Sequence, residues 1–177
     1  MSASTISPTS LHSNPSAMNK RKGIEYRMLV RPVYDETVRK DGTEFLIETV
    51  KQFSNFSYEV VVEESTGEKQ LTWALHGLRA PELLMPSFGG ARYSKVYFDM
   101  NGIYTFTLKK IDGEVNEFRI KILPGSAKLL TQPETPFVSL YLSEELFEER
   151  REDEMEIPRR KPEIKRLPEH SRAKKKK

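Results

Sequence analysis

Residues 104–122 run Tyr104-Thr105-Phe106-Thr107-Leu108-Lys109-Lys110-Ile111-Asp112-Gly113-Glu114-Val115-Asn116-Glu117-Phe118-Arg119-Ile120-Lys121-Ile122. Tyr104, Phe106 and Leu108 alternate with threonines, and Phe118, Ile120 and Ile122 alternate with Arg119 and Lys121. A period of two puts one face of a strand on a core and the other in water. Asp112-Gly113 between the two runs is a turn signal, because those residue types accept the backbone angles of a tight reversal. The stretch therefore predicts two antiparallel strands with one shared apolar face.

The pattern repeats outward from there. Tyr58, Val60 and Val62 alternate with Glu59, Val61 and Glu63, and Leu71, Trp73 and Leu75 alternate with Thr72, Ala74 and His76. Val96, Phe98 and Met100 read as an inward set against Tyr97 and Asp99, with further turns at Thr66-Gly67 and Asn101-Gly102. Additional strands are expected at 26–32, 33–40 and 44–53, the last two joined by Lys40-Asp41-Gly42-Thr43. No window here carries a helical period. The fold expected is all-β, an antiparallel β-sandwich of about seven or eight strands, with a small barrel as the second choice.

The segment Asp99-Met100-Asn101-Gly102-Ile103-Tyr104-Thr105-Phe106 resembles the turn before strand F of immunoglobulin-like sandwiches. Gly102 and Tyr104 match that corner, Phe106 stands where antibody domains place Cys, and Trp73 follows Val60 and Val62 at the spacing of the strand C tryptophan. The chain has no cysteine pair, as in fibronectin-like sandwiches. The resemblance covers residues 56–123 and implies an immunoglobulin-like architecture with Tyr104 pinning its corner to backbone just upstream. It implies no activity, since such sandwiches host many functions.

The chain is 177 residues long, with 29 Lys+Arg, 26 Asp+Glu and no Cys. That length suits one domain with appendages. All nine glycines lie between Gly23 and Gly125, and 16 of the 17 aromatics lie between Tyr26 and Tyr141, so the core belongs to the middle. Residues 1–23 form a Ser/Thr/Pro-rich, then basic, leader with too little apolar surface to order itself. The expected organisation is that leader, a β-sandwich over 24–128, an extended segment over 129–142, and an acidic short helix followed by a basic disordered tail over 143–177. The helix would start at Ser143, with Glu144 and Glu145 in its first turn and Leu142, Leu146 and Phe147 as its apolar stripe. Residues 144–156 carry eight acids and two arginines, whereas residues 157–177 carry ten Lys/Arg and two Glu. The pI near 9.0 is thus set by the tail.

Zero cysteines exclude disulfides, thiolate metal sites and a Cys nucleophile. No run of about 18 apolar residues spans a membrane, and no apolar h-region follows Lys20, Arg21 and Lys22 to make a secretory signal. A cytoplasmic setting is expected. Of three histidines, His12 and His170 lie in the end segments, and His76 closes a strand on its polar face as a surface residue. No phosphate loop, dinucleotide fingerprint, HExxH or GxSxG motif occurs. The reading is no enzyme, no cofactor and no metal.

The connection at residues 77–92 carries Pro81, Pro86 and five large apolar side chains without alternation. Loops of that length cap a core or bind a partner. Leu84, Met85, Phe88 and Arg92 are the candidate partner-binding residues, and Gly89-Gly90 beside Arg92 offers close approach to an anion. The tail offers Arg159, Arg160, Lys161, Lys165, Arg166 and Lys174, Lys175, Lys176 and Lys177 as a basic arm, suited to phosphate backbones or anionic surfaces. Folding back on the chain's own acidic block is the competing use of those charges. The expected function is a non-catalytic protein-interaction or accessory subunit binding an unidentified protein partner. The alternative is a nucleic-acid- or ribosome-associated protein using the basic arm. A third class is a small-molecule or carbohydrate binder using Arg79, Arg92 and the Gly-Gly loop.

Overall fold

The computed structural model describes residues 23–82 and 86–155. Nine strands form: β1 (Tyr26–Asp35), β2 (Lys40–Phe53), β3 (Glu59–Gly67), β4 (Gln70–Arg79), β5 (Gly89–Phe98), β6 (Gly102–Lys110), β7 (Val115–Leu123), β8 (Ser126–Thr131) and β9 (Val138–Tyr141). One helix, α1 (Glu144–Met155), follows them. The all-β class expected from the alternation is what the chain adopts. The leader and the basic tail lie outside the described residues.

The strands run in one order, β8-β7-β6-β4-β3-β5-β2-β1-β9. Hairpins join β1 to β2, β3 to β4, β6 to β7 and β7 to β8, whereas β4 and β6, β3 and β5, and β1 and β9 are parallel neighbours. At its middle the order hangs on a single register pair, Glu59↔Arg92. The sheet curls there into a half-barrel, so that Phe45 of β2 meets Trp73 of β4 and Phe106 of β6 ring to ring. The enclosed face carries Met28, Val30, Ile47, Leu71, Leu75, Leu108, Phe118, Ile120 and Ile122, all buried. Burying each of these stabilises the fold by roughly 1.5–3 kcal/mol.

Asn116, itself buried, draws the two ends of the order together. Its Oδ1 accepts from the Phe137 and Val138 amides at 2.8 and 3.3 Å, and its Nδ2 donates to the Thr135 carbonyl at 3.4 Å. β9 is thereby placed beside β1, and residues 129–142 hold the end of β8 and all of β9.

Two local expectations are corrected. The first reversal lies at residues 36–39, not at Asp41-Gly42. The Asp35 carboxylate accepts from the Thr37 and Val38 amides and Arg39 takes φ 52°, which closes the turn without glycine. Gly42 sits inside β2 instead, where a Cβ would fall 2.6 Å from Val96 Cγ1. In β5 the inward set is Tyr93 and Tyr97, not Val96 and Phe98. Tyr97 registers with Thr43 and stacks edge-on against Phe45, while Val96 and Phe98 lie over Gly42 on the other face.

α1 lies on the outer face of β1 and β9. Ser143 stands at its N-terminus, its carbonyl accepting from the Phe147 amide and its hydroxyl bonded to Glu145. Phe147 is buried against Tyr141 and the Arg27 guanidinium. Leu146, expected in the apolar stripe, is exposed. Phe147 is the helix's apolar anchor.

Candidate functional site

The ends of β2, β4 and β6 and the starts of β1, β3, β5 and β7 share one end of the half-barrel, here called the loop end. Phe88 is held there from two sides. Pro86 bridges Phe56, and the Ser87 amide donates to the Asn55 carbonyl at 3.3 Å, zipping the approach to β5 onto the approach to β3. With its backbone fixed, Phe88 stands 62% exposed. Leu78, one residue from the end of β4, and Ile111, in the β6–β7 turn, are 42% and 73% exposed. Burying such side chains removes apolar surface from water, which favours contact with a partner at this end.

Beside Ile111 opens a pocket of about 290 Å³, lined also by Tyr26, Leu75, Gly77, Lys110 and Asp112. The Lys110 ammonium stands on its rim, 2.9 Å from Glu25, 3.2 Å from Asp112 and 2.8 Å from Glu114, and 5.1 Å from the Phe137 ring centre. Burial pulls the Lys110 pKa down, but hydrogen bonds to Glu114, Glu25 and Asp112 outweigh it and raise the pKa above that of a free lysine. Three carboxylates thus surround the Lys110 ammonium.

The sequence-chosen residues divide as follows. Phe88 is at the surface of this end. Leu84 and Met85 fall outside the described residues, as do Arg159, Arg160, Lys161, Lys165, Arg166 and Lys174 to Lys177. Arg92 is half-exposed, with its Nε 3.4 Å from Glu48 Oε1. Glu48 is wholly buried on the outer face of β2, and Arg27 and Arg151 also approach its carboxylate, at 3.7 and 3.6 Å. Gly90 makes room for it, since a Cβ there would fall 2.6 Å from Glu48 Cγ and 2.5 Å from the Thr49 carbonyl oxygen. The anion that the Gly-Gly pair and Arg92 admit is therefore the chain's own carboxylate.

A second polar cluster lies nearer the other end, where β3 and β5 are no longer paired. Glu64 accepts from the Tyr93 and Tyr97 hydroxyls, the latter at 2.8 Å, and Tyr97 accepts from Trp73 Nε1 at 2.8 Å. Burial pushes the Glu64 carboxyl up, but the two tyrosines and Lys95 outweigh it and hold it below the usual carboxylate range. The Tyr97 phenol is pushed above its ordinary value, first by burial and then by Glu64. An open cleft of about 390 Å³ adjoins it, with Leu71, Met100 and Tyr104 in its lining. The Tyr104 hydroxyl takes a hydrogen bond from Lys69, which also donates to the Asn101 carbonyl at 2.5 Å, so this corner is tied through a lysine.

His76 is exposed, 3.0 Å from Glu63. Among the described residues no group of three His, Asp or Glu is arranged to hold a metal ion, and no helix is long and apolar enough to cross a membrane. No protein-family model, no curated protein and no solved structure matches the chain.

Sequence reasoning missed Tyr26, Lys110, Ile111 and Asp112. The one available signal was Ile111, an apolar residue standing between two lysines and an Asp-Gly turn.

Proposed function

We propose that the protein is a non-catalytic protein-interaction or accessory module that grips its partner with the loop end. The observation that carries this reading is the exposure of Leu78, Phe88 and Ile111 at a single end of the half-barrel, where Ile111 also lines a mostly apolar pocket. Interface cores are built from aromatic and aliphatic anchors inside a polar rim, and the Lys110 cluster supplies such a rim. The immunoglobulin-like reading belongs with it. The five strands β8-β7-β6-β4-β3 and the four strands β5-β2-β1-β9 share one strand-register pair, Glu59↔Arg92, and face one another across the core, as two layers of a sandwich would. A cytoplasmic setting is part of the same reading.

The test is affinity capture from the native cell, with and without nuclease, using the full chain and a version ending at Met155. Ending the chain earlier, at Leu142, would remove Phe147 and uncover Arg27 and Glu48. Recovery of one set of proteins by both versions, insensitive to nuclease, is the expected result.

The alternative reading rests on the ten bases of residues 157–177. It assigns binding to a phosphate backbone, and predicts capture that is lost with nuclease, with truncation at Met155, or steeply with salt.

A further inference from the structure

We infer that the outer face of β6, β7 and β8 seats on an anionic lipid membrane. This goes beyond the grip assigned to the loop end and does not depend on it.

Strand register gathers the charges. Lys121 of β7 lies directly opposite Lys128 of β8, and Arg119 stands two residues back on the same face of β7. All three are exposed, and among the described residues none of them has an ion-pair or side-chain hydrogen-bond partner. Directly opposed strand residues stand about 5 Å apart, so two lysines there repel and weaken the pairing of β7 with β8. Elsewhere in the sheet, register pairs such as Arg31 with Glu44 and Arg79 with Glu59 join opposite charges. The one acid in these three strands, Glu117, lies beyond Arg119 from both lysines. An opposing negative surface relieves the repulsion that the chain itself leaves standing.

Aliphatic side chains are set among these charges. Ile103 of β6 is the register partner of Lys121 on its other side, and Leu123 is two residues further along β7. Leu130 is the extra residue of the β8 bulge beside Arg119. All three are exposed. Cations interleaved with aliphatic residues match both components of a membrane surface, its anionic headgroups and its acyl chains. The aromatic residues of these strands, Tyr104, Phe106 and Phe118, pack towards the core. The face therefore offers no base stacking, and a nucleic acid would meet charge alone. Protein interface cores are depleted in lysine, which stands at the centre of this patch. Its position agrees with the proposed use. Ile103 near the start of β6 and Leu123 at the end of β7 lie at the end of the half-barrel opposite the loop end. A membrane held there leaves Phe88 and Ile111 free for a partner.

Vesicle co-sedimentation with the purified full chain tests the assignment. The vesicles are phosphatidylcholine, alone or with about one-third phosphatidylserine. Lys121→Glu is compared with Lys51→Glu, an equal change of charge at an exposed position of β2, and with the uncharged double variant Ile103→Ser, Leu123→Ser. The basic tail is the same in every protein, so differences report the face. Lys121→Glu sets a carboxylate opposite Lys128, so its thermal midpoint should hold or rise and lost binding is not lost folding. The expected result is binding of wild type to the anionic vesicles only. Lys121→Glu should bind them at least about tenfold more weakly than Lys51→Glu does, and the double serine variant at least about threefold more weakly than wild type. Equal binding by Lys121→Glu and Lys51→Glu, no wild-type binding to anionic vesicles, or indifference to the serines would each overturn the assignment. Weaker capture of a homopolymeric RNA by Lys121→Glu with vesicle binding unchanged would overturn it too, by making a nucleic acid the occupant.

Discussion

Arg151 Nε of α1 lies 3.6 Å from Glu48 Oε1, and the Glu48 side chain is wholly buried. This contact joins the helix to the sheet at a carboxylate that Arg27 and Arg92 also approach. Removing the carboxylate at the centre of a buried ionic cluster takes away the charge its arginines share. Glu48→Ala is expected to destabilise the fold by about 3–5 kcal/mol. Arg151→Ala, at a partly exposed position, should lose no more than about 1 kcal/mol. Urea unfolding monitored by Trp73 fluorescence compares the two, and equal losses would show that Glu48 is not the centre of the cluster.

Gly90→Ala belongs to the same region. The new methyl would overlap the Thr49 carbonyl and Glu48 Cγ, and overpacking of this kind costs roughly 1–3 kcal/mol. A thermal midpoint unchanged by Gly90→Ala would mean that the β2–β5 contact yields more easily than its spacing indicates.

Asn116 ties β7 to the start of β9 through two accepted hydrogen bonds and one donated to the Thr135 carbonyl. Asn116→Ala strands the Phe137 amide in the interior, and each buried group left unsatisfied costs about 1–3 kcal/mol. Hydrogen exchange should show β9 opening well before the rest of the sheet. Uniform loss of protection across all nine strands would place the effect elsewhere.

Glu64 governs part of the acid response. Its folded pKa lies below its ordinary value of 4.5, so it contributes stability above that value and loses it as pH falls through the folded pKa. Glu64→Gln should therefore flatten the acid limb of the stability–pH curve below about pH 4.5. A Glu64→Gln curve that runs parallel to wild type through that window would remove Glu64 from the acid transition.

The strands built from Leu71, Trp73 and Leu75, from Tyr104, Phe106 and Leu108, and from Phe118, Ile120 and Ile122 were legible because apolar and polar residues strictly alternate there. β5 misled because Val96, Tyr97 and Phe98 are consecutive and apolar or aromatic, so period alone cannot choose the inward set. The choice falls to Gly42, whose missing Cβ admits Val96 and Phe98 on the outer face. The turn at 36–39 was invisible for want of Gly, Pro or Asn, with Asp35 capping it in their place. Glu48 and Phe147 act through Arg27, and Asn116 through Phe137, far away in the chain, and no local pattern marks such partners. At the loop end, Phe88 stood out within an irregular apolar connection. Lys110 and Tyr26 did not, because their adjacency arises from strand order.

The most direct test is quantitative affinity capture from the native cell, comparing the full chain with Phe88→Ser, Ile111→Ser and, as a surface control, His76→Ser. All three sites are exposed, so folding should be retained and is checked by circular dichroism. The expected result is one nuclease-resistant set of partners, retained by His76→Ser and reduced at least about tenfold by each loop-end variant, as for anchor residues worth about 1.4 kcal/mol or more. Equal capture by all four proteins would contradict the assignment of partner binding to the loop end.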